Sequence, residues 1–162
     1  MMVQKMHDIK PQIKSKPFLK EEVPFSPDIV KTTVAMAQQA RGRAYARYSN
    51  YKVGCAVYAQ NEDGLWAYFS GCNIENASYG LTICAERVAI FKAVSEGFTN
   101  IGMMAIATKN AGMSCGACRQ VEYEFNPNMY VICVGERGGD VMDYKLGDEL
   151  PNAFGPHHLE EE

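Results

Sequence analysis

The stretch from Gly71 to Gly97, GCNIENASYGLTICAERVAIFKAVSEG, most constrains the fold, because it joins an asparagine-rich loop to a helical segment that opens with a cysteine and a glutamate. At about 100° per residue, Glu86 falls on the same stripe of that helix as Ala89, Ile90 and Ala93. The pattern therefore predicts an inward glutamate, whose apolar neighbours would disfavour its charged form and suit it to proton transfer near neutral pH. A buried glutamate paired with an arginine fits the same pattern equally well.

The composition is that of one globular domain. The chain has 162 residues, of which 47% are hydrophobic and 22% are charged, and this length is enough to bury a real core. No apolar run reaches the roughly 18 residues that a membrane span needs, and the N-terminus lacks the apolar region of a secretory signal. We therefore expect a cytoplasmic protein with no membrane partner. A net charge of -3 also argues against a nucleic-acid partner held by a broad basic surface.

The order of periodic segments predicts an α/β fold, a mixed sheet with helices packed on both faces in an α/β/α sandwich. Residues 1–25 are expected to form a flexible lysine-rich arm, and residues 26–162 a single catalytic domain. Helices are predicted from a cap at Ser26 to about residues 47–50, over 84–97, over 115–124 and briefly over 146–149. Strands are predicted over 52–59, 65–70, 101–108 and 129–134, with a further short strand after a turn at 138–140.

The six cysteines divide into two sets by position. Without a secretory signal they should be reduced thiols, so their spacing bears on metal binding or catalysis rather than on disulfides. Three of them lie in or beside strand-like runs and should pack as small apolar residues: Cys55, Cys72 and Cys133. The other three lie at apparent helix starts: Cys84, Cys115 and Cys118.

A helix N-terminus lowers the pKa of a thiol and favours the thiolate that binds metal. Two such helices side by side would place three thiolates around one ion and leave a fourth position for water, as catalytic zinc sites do. The C-x-x-C pair taken alone also fits a redox dithiol or half of a structural zinc site.

Two arginines directly follow key residues of these motifs. Arg87 comes after Glu86, and Arg119 comes after Cys118. Three thiolates weaken the Lewis acidity of zinc, so we predict that at least one of these arginines donates to a cysteine sulfur and restores it. The alternative for both is an ion pair at the surface.

The residues CAE at 84–86 and CGAC at 115–118 resemble the signature of the zinc-dependent cytidine deaminases. GCNIENASYGLTICAER and CGACRQ are similar to the small nucleoside class with three cysteine ligands, which forms homotetramers. The resemblance covers Pro27 to Pro156. It implies one Zn²⁺ per chain, held by Cys84, Cys115 and Cys118. It also implies that Glu86 passes a proton from water to N3 of the base and then to the leaving ammonia.

The resemblance also assigns the substrate contacts, to Asn73, Glu75, Tyr51, Ala85, Tyr79 and Phe154. Asn73 and Glu75 would hydrogen-bond the ribose hydroxyls, and two residues that are two apart on an extended segment do share a face. Turn formation around Asn73 and Asn76 is the alternative role for Asn73 and Glu75. Tyr51, where the family usually has Phe, would lie against the base. Phe154 would come from a neighbouring subunit, with Tyr79 near the same contact.

The chain departs from the family pattern in three places. Ser114 stands where a proline is expected, although serine can cap a helix there. The loop over 109–114 looks shorter than the family's, and the resemblance implies that the carbonyl of Met113 in this loop would read the 4-amino group of the base. Arg47 replaces a proline beside the sugar, and a cation there could accept a phosphate.

The function predicted is hydrolytic deamination of cytidine and 2'-deoxycytidine to uridine and 2'-deoxyuridine in pyrimidine salvage. The site would be completed across the subunits of a homotetramer. Deamination of CMP is one alternative, and a non-catalytic zinc or redox C-x-x-C module is another. An RNA- or DNA-editing deaminase is disfavoured by the acidic charge, and a deaminase of nucleoside antibiotics by the N-x-E-N segment at 73–76.

Overall fold

The computed structural model of the protein describes residues 23–136 and 140–159. These residues form the following elements: α1 (Pro27–Gly42), β1 (Gly54–Gln60), β2 (Trp66–Cys72), α2 (Ala85–Ser95), β3 (Asn100–Ala107), α3 (Gly116–Phe125), β4 (Tyr130–Val134), β5 (Val141–Lys145) and α4 (Leu146–Glu149). Short 3₁₀ helices cover Tyr79–Leu81 and Pro156–His158. The N-terminal arm over 1–22, two glycines of the turn predicted at 138–140 and the acidic end over 160–162 lie outside the described residues.

The five strands form one mixed sheet in the order β2-β1-β3-β4-β5. Strands β1 and β2 form the antiparallel hairpin that the sequence predicts, with Val57 opposite Phe69. Strand β1 is also antiparallel to β3, whereas β3 and β4 are parallel because α3 carries the chain back across the sheet. Strand β5 closes the other edge antiparallel to β4.

Helices cover both faces of the sheet, because successive side chains of a strand point to opposite faces. On β3, Met103 packs in the core under α1, and Met104 packs in the core under α2 and α3. Val34 and Ala37 of α1 belong to the first core, and Ala89 and Ile90 of α2 belong to the second. The predicted α/β/α sandwich is confirmed.

Helix α1 begins as predicted and ends earlier than predicted. Ser26 caps it by accepting from the Ile29 N–H at 3.5 Å, and Pro27 occupies the first helical position. The prediction that the helix continues to residues 47–50 is wrong, because it ends at Gly42. Beyond that point Tyr45 leaves the helical path and pairs its backbone with the 73–75 segment through Tyr45 N–H to Asn73 O and Glu75 N–H to Tyr45 O.

Packing against the core starts before Ser26. Val23 and Phe25 lie partly buried against the core under α1, and the ring of Phe25 meets that of Tyr58 edge-on at 6.2 Å between centroids. Val23 and Phe25, which fall within the flexible arm predicted over 1–25, thus belong to the packed structure.

None of the described helices is long and apolar enough to cross a membrane. The longest, α1, has 16 residues, whereas a bilayer needs about 20.

Candidate metal centre and substrate pocket

Three thiols meet where two helices begin. Cys84 is the N-cap of α2 and Cys115 the N-cap of α3, and Cys118 follows in the first turn of α3. Their Sγ atoms all lie within 4.8 Å of one another. A tetrahedral zinc with Zn–S bonds of about 2.3 Å needs sulfurs about 3.8 Å apart, so the cluster requires only small side-chain adjustments to hold one ion.

The surroundings of Cys84 favour its thiolate. A hydrogen bond from the Cys118 thiol, together with Arg87, lowers the pKa of Cys84 to about 5. Arg87 donates from Nη2 to Cys84 Sγ at 3.7 Å, which is the type of contact that the sequence predicted. Soft thiolate donors at two helix N-termini fit a zinc ion.

Arg119 has a different partner. It donates from Nη1 to the Glu149 carbonyl at 3.0 Å and pairs with the Glu149 carboxylate at 3.6 Å, which anchors α3 to α4. This matches the ion-pair alternative for Arg119 rather than donation to a sulfur.

Glu86 lies in the first turn of α2 with only 5% of its surface exposed. Ala89, Ile90 and Ala93 of the same stripe are fully buried, as the periodicity predicts. Burial raises the pKa of Glu86 to about 7, and the neighbouring Cys84 thiolate acts in the same direction. The ion pairs of the described residues do not include Glu86. Glu86 is therefore a buried carboxyl beside the three thiols, and it does not form the salt bridge with an arginine that the sequence left open.

Asn73 joins the loop after β2 to the segment before β1. Its Oδ1 accepts from the Val53 N–H and its Nδ2 donates to the Tyr51 carbonyl, both at 2.9 Å. A bridge of two backbone hydrogen bonds between Ile74 and Ile83, each 3.0 Å, then brings this loop beside Cys84. The predicted sugar-contact segment therefore lies next to the thiol cluster.

Glu75 holds the turn at 48–49 in a similar way. Its carboxylate accepts from the Tyr48 N–H at 2.7 Å and from the backbone and hydroxyl of Ser49. These bonds, led by the one from the Ser49 hydroxyl, lower the pKa of Glu75. Glu75 also lines a cavity of about 370 Å³ with Tyr48, Ser49, Tyr79 and Thr82.

Tyr51 contacts the loop that precedes α3. Its hydroxyl donates to Asn110 Oδ1 at 2.7 Å. The loop is tight, with Ala111 at φ 53° and the Gly112 N–H donating to Thr108 Oγ1 at 2.7 Å. A Cβ at position 112 would lie 2.9 Å from the Tyr51 hydroxyl oxygen. The hydroxyl that distinguishes Tyr51 from phenylalanine therefore packs closely against this loop.

The remaining predicted site residues differ in exposure. Ala85 is fully buried at the start of α2, whereas Tyr79 is 74% exposed and Phe154 is 58% exposed. Phe154 stacks on His158 at 5.1 Å, and its carbonyl accepts from Gln120 Nε2 at 2.7 Å.

Several residues of the site were not anticipated from the sequence. Ser49 and Thr82 line the cavity, and Asn110 pairs with Tyr51. Glu122 is fully buried one helical turn after Cys118 and accepts from the Ser114 hydroxyl. An acidic residue four positions after an inward cysteine was a usable signal, because i and i+4 share a helix face.

Together, the three thiols at two helix N-termini could hold one metal ion, and three protein ligands are the number that catalytic zinc sites use. Residues 28–134 match the family model of the cytidine and deoxycytidylate deaminase zinc-binding region. The chain belongs to this family of zinc-binding deaminases.

Known relatives are similar over most of their length. The cytidine deaminase of Sporosarcina psychrophila is 39% identical over 132 residues, which cover 80% of this chain and 94% of the relative. The cytidine deaminase of Halalkalibacterium halodurans is 45% identical over 120 residues, covering 73% and 88%. The crystal structure of cytidine deaminase from Burkholderia pseudomallei superposes with a TM-score of 0.68 at 42% identity, covering 76% of this chain and 97% of that one. The resemblance seen in the motifs and the predicted fold class are confirmed.

Proposed function

We propose that the protein is a cytidine deaminase, which replaces the 4-amino group of cytidine by oxygen from water and releases uridine and ammonia. The observation that carries this proposal is that buried Glu86, two residues after Cys84 in the first turn of α2, lies beside the three-thiol cluster. Relatives named cytidine deaminase, aligned over most of the chain, support the same substrate.

Cys84, Cys115 and Cys118 would hold a Zn²⁺ ion, which would supply the Lewis acidity that makes water reactive near neutral pH. Glu86 moves the protons: its carboxylate accepts one from the attacking water and delivers it to N3 of the base. It then accepts the second proton from the oxygen now bonded to C4 and transfers it to the amino group, which leaves as ammonia when the C4–N bond breaks. A carboxyl whose pKa is about 7 is suited to both halves of this exchange, because neither protonation state is strongly disfavoured.

Asn73 and Glu75 are proposed to hold the ribose while they brace the segment over 48–53. Each has hydrogen-bonding capacity left after its backbone contacts. Asn73 retains one N–H donor and a carbonyl lone pair, and the Glu75 carboxylate can accept about four hydrogen bonds. 2'-Deoxycytidine presents the same base and keeps the 3'- and 5'-hydroxyls, so it is proposed as a second substrate, and salvage of free pyrimidine nucleosides is proposed as the role.

The reaction is proposed to take place in the cytoplasm by a homotetramer. All six cysteines are free thiols, which suits a reducing compartment. Large apolar side chains are exposed beside the cavity, including Tyr48, Tyr79 and Leu81, and Phe154 is exposed near the C-terminal end. Contacts between copies of the chain would cover such residues and could complete the site, with Phe154 lent to a neighbour.

One observation favours a phosphorylated substrate as a second candidate. Arg47 is exposed, donates from Nη1 to the Tyr45 hydroxyl at 2.9 Å and lies 6.0 Å from the ring centroid of Tyr48, which lines the cavity. A guanidinium at the rim of the sugar-side cavity can bind a phosphate, so CMP belongs among the substrates to be tested.

The test is ammonia release from cytidine, 2'-deoxycytidine, CMP and a cytosine-containing oligonucleotide, with zinc content measured on the same preparation. We expect about one zinc per chain and turnover of both nucleosides, with the oligonucleotide unreacted. The protein after removal of zinc by a chelator is the control and should be inactive until zinc is restored. Absence of nucleoside turnover by the zinc-loaded protein would overturn the proposal.

A further inference from the structure

A chain of three buried or partly buried polar side chains crosses the base of α3. The Ser114 hydroxyl donates to Glu122 Oε2 at 3.2 Å and shares a hydrogen bond of 2.9 Å with the Tyr144 hydroxyl. Ser114 is 3% exposed and Glu122 is fully buried. The network thus connects the residue before α3, the second half of α3 and strand β5.

Both attachment points of this network on α3 adjoin a metal ligand. Ser114 immediately precedes Cys115, the N-cap of α3. Glu122 lies four residues after Cys118, so the two side chains share one face of the helix. Tyr144 belongs to β5, whose register with β4 is fixed by backbone pairing. These hydrogen bonds therefore link the backbone around Cys115 and Cys118 to strand β5 of the sheet.

Core packing alone does not require a carboxyl at position 122. Burying a carboxyl is costly unless it is hydrogen-bonded, and Glu122 Oε1 has no hydrogen-bond partner. The nearby Arg119 bonds Glu149 instead. An apolar residue of similar size would fill the same space at lower cost, so the contribution of Glu122 is the hydrogen bond that it accepts from Ser114.

We propose that Ser114, Glu122 and Tyr144 are positioning residues for the metal centre. Their hydrogen bonds fix the backbone before Cys115 and the direction in which α3 starts, and thereby hold the Cys115 and Cys118 sulfurs at the spacing that one ion needs. The proline that the family pattern has at position 114 would restrict this backbone through its ring. In this chain the hydrogen bonds of the Ser114 side chain restrict it instead. The inference rests on the proposed function only for the identity of the metal.

The experiment follows the metal rather than turnover. Zinc-loaded wild type, Ser114→Ala and Tyr144→Phe are mixed with a chromogenic chelator, and the rate of zinc release is recorded together with the absorption bands of the cobalt-substituted proteins. We expect both variants to release zinc about tenfold faster, in the range found when groups that orient metal ligands are removed, and to shift the cobalt bands. Glu122→Gln keeps the acceptor and should release zinc as wild type does.

The matched control is Tyr130→Phe. Tyr130 also donates to a residue of β5, Asp143, at 3.1 Å, but this bond does not reach α3. If Tyr144→Phe and Tyr130→Phe lower the melting temperature equally and leave zinc release unchanged, the network only stabilises the fold and the proposal is overturned. If Ser114→Ala does not fold, Tyr144→Phe decides. Failure of the wild type to deaminate cytidine, with zinc bound, would affect the proposed function alone.

Discussion

Glu86 combines two properties that rarely occur together, an ionisable side chain and 95% burial, because α2 begins at Cys84 and its first turn faces the core. Replacing it by glutamine keeps the shape and removes the exchangeable proton. We predict that Glu86→Gln retains zinc and loses at least about 10⁴-fold in kcat, since a general acid/base contributes up to about 10⁴ in one step and this one acts repeatedly. The measurement is ammonia release together with zinc content.

The control for that variant is Glu96→Gln, which changes the exposed glutamate at the end of the same helix. It should retain normal kcat. Turnover by Glu86→Gln within tenfold of the wild type would contradict the proposed proton transfer.

Tyr51 differs from phenylalanine by one hydroxyl, and that hydroxyl donates to Asn110 in the loop over 109–114. Removing it frees the loop whose Met113 carbonyl is predicted to read the 4-amino group of the base. We predict that Tyr51→Phe raises KM for cytidine about 2- to 10-fold with little change in kcat, because one such hydrogen bond is worth about 0.5–1.5 kcal/mol. Asn110→Ala should give the same increase, and the double variant should add nothing. Additive effects in the double variant would show that the two residues act separately.

Glu122 should make stability depend on pH. Burial, assisted by Glu86, raises its pKa to about 8, while the Ser114 hydroxyl and Arg119 oppose the shift; Cys133 and Tyr144 also adjoin it. The folded state therefore holds a proton that the unfolded chain releases above about pH 4.5. The contribution of Glu122 to the free energy of unfolding is complete below that pH. It declines as the pH rises toward 8, by up to about 1.4 kcal/mol per pH unit.

The measurement for this effect is the free energy of unfolding of wild type minus that of Glu122→Gln between pH 5 and about pH 9. We expect the difference to fall as the pH rises from 5 toward 8 and to level off above that pH. Glu124→Gln, which alters an exposed glutamate of the same helix, should give a difference that does not vary with pH. A flat difference for Glu122→Gln would show that its carboxyl ionises normally.

At the scale of elements, helix starts were predictable and one helix end was not. Ser26, Cys84 and Cys115 are N-caps where the sequence placed helix starts, because caps are set by local chemistry. The end of α1 depends on backbone pairing between Tyr45 and the 73–75 segment, a contact nearly 30 residues away that no local pattern records. The same limit applies to the site: motifs predicted the thiols and Glu86, whereas the Ser114 network requires β5 to be placed first.

The contact between α1 and β1 depends on Gly54. A Cβ at this position would lie 2.1 Å from the Ala37 carbonyl oxygen and 2.2 Å from the Arg41 nitrogen, both backbone atoms of α1. We predict that Gly54→Ala destabilises the protein by at least about 3 kcal/mol, the upper end for overpacking, because backbone cannot move aside as a side chain can. Chemical denaturation measures this. Gly80→Ala, where a Cβ meets nothing within 4 Å, is the control, and equal stability of the two variants would contradict the packing argument.

At the scale of the whole molecule, the described chain brings together a three-thiol cluster and a buried glutamate, yet Tyr79 and Phe154 remain largely exposed. If Phe154 completes the site of a neighbouring subunit, two inactive variants should complement each other. Phe154→Ala chains keep Glu86, and Glu86→Gln chains keep the donated ring. We predict that co-expressed mixed oligomers, isolated through two different tags, are more active than either parent, with about a quarter of sites intact at equal proportions.

The control pairs Glu86→Gln chains with chains that carry both substitutions, in which no site has its glutamate, so no recovery is expected. Sedimentation of the wild type should give a tetramer, because an exposed apolar surface of this kind is covered by association in stable assemblies. Recovery in the first pair and none in the control would place Phe154 in a partner's site. A tetramer whose mixed oligomers regain nothing would instead confine Phe154 to its own chain, where its observed neighbours are His158 and Gln120.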